Sequence, residues 1–140
     1  MKTLLSISVT TFLLIVASSH CFALMMLADV SKERAKEMGV TMRSRKDGDA
    51  GVAVWIVFKT QGALKDFVGV NLRMTAGGKH LLSAPLQISR PTADSVSVHF
   101  SADPAYLADS IFMIVVSEPA KGGTGYQFKV KDFIEPEKSR

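Results

Sequence analysis

Apolar and polar residues alternate with a period of two through most of this chain, and the alternation gives way to a continuous apolar run at Gly51 to Thr60. That stretch reads Gly-Val-Ala-Val-Trp-Ile-Val-Phe-Lys-Thr and holds the only tryptophan. It is short for a helix, rich in β-branched and aromatic residues, and bounded by the turn signals Asp47-Gly48-Asp49 and Gln61-Gly62, which together predict a strand. Val52, Val54, Ile56 and Phe58 fall on one face and Ala53, Trp55 and Val57 on the other. With both faces apolar, the strand is expected inside a sheet.

Six further strands follow from the same period. Val40 to Arg45 alternates and leads into a turn at Lys46–Ala50. Phe67 to Thr75 sets Val68, Val70, Leu72 and Met74 against Gly69, Asn71, Arg73 and Thr75, as a half-buried strand does. Ala76-Gly77-Gly78-Lys79 signals a hairpin into His80–Ser89, where Pro85 marks an edge strand or a bulge. After a loop around Pro91, Ser95 to Ser101 carries Val96, Val98 and Phe100 on one face and Ser97 and His99 on the other. Ser110 to Glu118 repeats the two-sided pattern, with Ile111, Met113 and Val115 opposite Phe112, Ile114 and Val116. Past a Gly-rich turn at Pro119–Gly125, Tyr126 to Phe133 points Tyr126, Phe128 and Val130 inward and Gln127, Lys129 and Lys131 outward. One helical turn interrupts the strands at Asp103–Asp109, with Asp103 as its cap and Pro104 in its first position.

Seven strands separated by turn residues predict an all-β domain, a single antiparallel β-sandwich of immunoglobulin- or fibronectin-like order. The two strands with apolar residues on both faces are the second and the sixth, which lie inside opposite sheets in such an order. The domain is expected over Val40–Glu135, with a flexible tail at 136–140 and a short helical lead-in at Leu24–Gly39. Ser31 is the N-cap of that helix, and Gly39 closes it.

The first residues carry a different message. Lys2, the apolar stretch Leu4–Ala17 and the small residues of Ser18–Ala23 describe a secretory signal peptide, cleaved after Ala23. The protein is therefore expected outside the cytoplasm, in the periplasm or the medium, with no membrane contact once the leader is gone. Cleavage there removes Cys21, so the fold stands without disulfides. Cleavage after Ser19 instead would expose His20, whose imbidazole beside a terminal amine suits copper.

Composition narrows the function more than it names one. An apolar fraction of 47% and a charged fraction of 21% exclude a disordered chain. The formal net charge of +4 falls by one with Lys2, and the basic residues are scattered, which argues against nucleic acid as a partner. No nucleophile elbow, zinc-binding helix pair or phosphate loop is present, so a non-catalytic module without a cofactor is expected. Two inner faces leave Ala53, Trp55 and Val57, or Ile111, Met113 and Val115, for the outside. The lead-in helix is the expected cover, and a protein, a glycan or a second copy in a weak homodimer is the alternative, with Trp55 as anchor. Binding candidates are thus Trp55, Lys129 and Lys131, together with the end loops Lys46–Ala50, Ala76–Lys79 and Lys121–Gly125. The rival expectation is an envelope copper carrier using His80 and His99, or His20.

Overall fold

The computed structural model describes residues 25–49, 51–118 and 122–134. In chain order they form β1 (Met25–Asp29), α1 (Lys32–Glu37), β2 (Thr41–Asp47), β3 (Gly51–Lys59), β4 (Phe67–Ala76), β5 (Lys79–Pro85), β6 (Ile88–Thr92) and β7 (Ser95–Ala102). Then follow α2 (Pro104–Leu107), β8 (Ile111–Val116) and β9 (Gly123–Lys129), with 3-10 turns at Gly62–Leu64 and Val130–Asp132. The strands make a five-stranded sheet, β1-β9-β8-β4-β5, and a four-stranded sheet, β2-β3-β7-β6. Neighbours run antiparallel except β1 and β9, which are parallel.

The two-sided apolar strands occupy interior positions, β3 between β2 and β7 and β8 between β4 and β9. Val54, Ile56 and Phe58 of β3 and Phe112, Ile114 and Val116 of β8 are buried, and one apolar cluster joins them with Val96, Val98, Val70, Leu72 and Phe128. Both sheets thus face a common core. Phe58 of one sheet meets Phe67 of the other edge-on, with ring centroids 5.2 Å apart, and Phe112 lies 5.8 Å from Phe128. Such contacts add to burial because the positive edge of one ring meets the negative face of the other.

The lead-in is not helical throughout. Met25–Asp29 is an edge strand added to β9, and only Lys32–Glu37 is helix. Ser31 caps it as expected, its hydroxyl accepting from the Arg34 N–H at 3.2 Å. Gly39, at φ 71°, turns the chain out of the helix in the left-handed conformation that a side chain resists. Ala35 and Met38 sink into the common core. The helix therefore plugs an end of the two sheets, beside the turn at Gln61–Ala63, with which it bounds an open, polar recess. It does not cover the sheet around Trp55, because one apolar side of a two-turn helix cannot serve both the core and an outer face.

Three further departures have local causes. The expected strand His80–Ser89 is two strands in different sheets, β5 ending at Pro85 and β6 starting at Ile88. Proline cannot donate to a neighbouring strand, so both stretches run at sheet edges, and Pro91 is accommodated in β6 where the register with β7 slips. Val68 is 61% exposed, not inward, since a bulge between Phe67 and Gly69 makes it the extra residue. The last strand stops at Lys129, and Val130–Asp132 winds into a 3-10 turn that still buries Val130.

Candidate functional site

The outward face of the four-stranded sheet is a grid set by strand register. Trp55 stands in its middle, opposite Arg43 of β2 and His99 of β7. Ala53 lies between Arg45 and Ser101, and Val57 between Thr41 and Ser97. Trp55 is 37% exposed and Val57 38%. The grid exists because β3 is apolar on both sides, β7 alternates apolar with polar, and β2 is polar at every outward position.

Most polar groups at the border of the grid have structural partners. Ser101 Oγ donates to Asp47 Oδ2 at 2.6 Å, and Thr41 Oγ1 donates to the Val57 carbonyl at 3.3 Å. The centre differs. Among the described residues, the side chains of Arg43, Arg45, Trp55 and His99 make no hydrogen bond and no ion pair; the ion pair that does form joins Arg34 and Glu37 on α1. Nor is a guanidinium stacked on the indole: the cation-on-ring contact among these residues is Arg90 over Phe67, 5.7 Å from the centroid. The site offers one broad aromatic surface, two guanidinium forks on one side of it and an imidazole on the other.

The remaining candidates are dispersed. Lys129 pairs with Ile111, on the outward side of the other sheet, and Lys131 lies in the 3-10 turn, so the two lysines share no strand face and neither approaches Trp55. His80 sits on β5 at the edge of the five-stranded sheet, while His99 is in the middle of the other. Among the described residues no three of His, Cys, Asp and Glu group as metal ligands. His20 and Cys21 lie outside the described residues. The loops do not gather at one end either: the turn after Ala76 opens beside Ile111, and the turn into Gly123 opens beside Val116, at the far end of β8. Antiparallel pairing of β4 with β8 imposes this separation. Asp103 accepts from the Ala105 N–H at 2.8 Å and so caps α2.

The five-stranded sheet has an outward depression of about 180 Å³, lined by Met25, Leu27, Ile111 and Met113 with Asn71 and Arg73 at its border. Gly125 makes room for it, as Met113 and Leu27 fold over the missing side chain. Ser83 contributes a hydroxyl to its lining, and no histidine or carboxylate lines it beside that hydroxyl.

Sequence reasoning put Trp55 on an outward face but did not set Arg43 and Arg45 beside it. The signal was available in the tight turn: Arg43 and Trp55 are equally distant from Asp49, as are Arg45 and Ala53, which is what a hairpin centred there produces. Compared with known proteins, the chain matches no family model and no curated protein. Among the described residues no helix is long and apolar enough to cross a membrane.

Proposed function

We propose that the protein is an exported, non-catalytic binding module, an immunoglobulin-like sandwich whose working surface is the outward face around Trp55. The observation that carries this reading is the exposed indole at the centre of a rigid sheet, flanked by Arg43, Arg45 and His99 with their donors unengaged. An aromatic ring held by a strand is a prepaid contact surface, since little side-chain freedom is lost when a ligand arrives. The order β2-β3-β7-β6 against β9-β8-β4-β5 supports the immunoglobulin-like assignment, with β3 and β8 in the two inner positions. The leader pattern at Lys2–Ala23 supports export. A protein or a glycan outside the cytoplasm is the partner.

The test compares the mature protein with Trp55→Ser against panels of glycans and envelope proteins, using calorimetry so that the lost tryptophan does not remove the signal. A ligand is expected whose affinity falls about tenfold or more in the variant, roughly the worth of one central aromatic contact. Thermal unfolding should stay within a few degrees, because the ring is outside the core. Ligands bound equally by both proteins would put the working surface elsewhere. Export is checked by the mass of the secreted chain, expected to begin at Leu24; a chain retaining Met1–Ala23 would overturn that part.

A further inference from the structure

The chemistry around Trp55 is one-sided. The outward positions nearest Trp55 hold Arg43, Arg45 and the His99 imidazole; the carboxylate of Asp47 lies at the border and already accepts from Ser101, and Lys59, at the end of β3, is near Asp94. Arg43 and Arg45 are two residues apart on one strand, so they share a face at a spacing of about 7 Å. Each guanidinium presents a planar fork that fits a carboxylate with two parallel hydrogen bonds. Beside them the indole offers an apolar plane, and Ser97 offers a hydroxyl.

Shape selects among anionic partners. The two recesses described above lie away from the grid, and Trp55 and Val57 are exposed on an open sheet face, unlike the concave sites that enclose small molecules. A flat face suits an extended polymer. Arginine beside tryptophan is common at protein interfaces, but the buried centres of those interfaces are about two-thirds apolar, whereas the outward neighbours of Trp55 are polar apart from Ala53 and Val57. Single-stranded nucleic acid is held by several aromatic residues that stack successive bases, and this face has one. A sugar ring needs a single aromatic plane for its C–H face and donors around it for its substituents.

Resting on the binding-module reading, we infer that the ligand is an acidic polysaccharide, a polymer of hexuronic acids, with one pyranose ring on Trp55 and neighbouring carboxylates on Arg43 and Arg45. Charge complementarity commits the face to this occupant.

The experiment uses oligogalacturonate and oligo-alginate, the fully methyl-esterified oligogalacturonate as a neutral polymer of the same backbone, and an oligothymidylate of similar charge. Quenching of Trp55 fluorescence in the mature protein gives the affinities, at low and at high salt. At least one of the two uronate polymers is expected to quench, to bind about tenfold or more tightly than the ester, and to weaken as salt screens the arginines. Arg43→Gln with Arg45→Gln should abolish that preference for acid over ester, while Lys36→Gln with Lys79→Gln, which removes equal charge elsewhere, should leave it unchanged. Circular dichroism confirms that each variant is folded. Equal affinity for acid and ester, tighter binding of oligothymidylate, or an unchanged preference in the double arginine variant would overturn the inference. Binding of the ester through Trp55 with no preference for the acid would sink the acidic ligand and keep the binding face. Silence toward both uronates sinks the inference alone, and silence toward every glycan and protein tested with Trp55→Ser sinks the binding face as well.

Discussion

A methyl group added at Gly51 would lie 2.5 Å from the Asp47 carbonyl oxygen, and one added at Gly125 would lie 2.7 Å from Met113 Sδ and 3.1 Å from Leu27 Cδ2. The distances are similar and the consequences are not, because a carbonyl in a hairpin is fixed while a thioether on a free face can rotate. Gly51→Ala is expected to cost about 1–3 kcal/mol and Gly125→Ala less than about 1 kcal/mol in urea unfolding. The reverse order would show that the hairpin yields more easily than the Met113 side chain. Phe58 is 1% exposed and joins the two sheets through Phe67, so Phe58→Ala should cost about 3–5 kcal/mol. Two carboxyls link the fold to pH. Backbone hydrogen bonding, and then the Ser31 hydroxyl, hold Glu33 below the usual carboxylate range, and the Thr92 hydroxyl does the same first for Asp94. A lowered folded value means that their support is present above the ordinary carboxyl pKa and fades as pH falls through the lowered one. Ser31→Ala should therefore raise the Glu33 titration midpoint, seen by NMR; an unmoved midpoint would show that the hydroxyl plays no part.

Secondary elements were legible where period and burial coincide. The strand at Gly51–Lys59, the helix cap at Ser31 and the turn of helix after Asp103 could each be read because local chemistry alone produces them. Ser31→Ala should also cost the helix about 0.5–2 kcal/mol, since one of its first N–H groups loses its acceptor. β1 was illegible for the opposite reason: Met-Met-Leu-Ala-Asp has no alternation, and all but one of its residues are exposed. Only its backbone pairing with β9 makes it a strand. Likewise nothing in His80–Ser89 announces that the chain changes sheets at Pro85, because either stretch by itself satisfies the same period. For the site, the period placed Trp55 and His99 outward, but bringing Arg43 beside them required the register of a hairpin. Lys129 and Lys131 were grouped by extending the period past the point where the strand ends.

At the level of the entire chain, the N-terminal stretch of the described fold ties the two sheets together. The chain leaves the five-stranded sheet as β1, passes through α1, and enters the four-stranded sheet as β2. Val30 and Val40, on either side of the helix, are both buried in the common core. The Val30 N–H donates to the Gln127 carbonyl at 2.9 Å, continuing the β1–β9 pairing past the strand itself. That pairing sets a clock. The first strand of the described fold has the last one as its partner, so this edge of the five-stranded sheet stays open until β9 has been made. A pairing that spans nearly all of the described residues in sequence makes closure of this edge a late step of folding, and the β1 strand stays an unpaired ribbon until it happens.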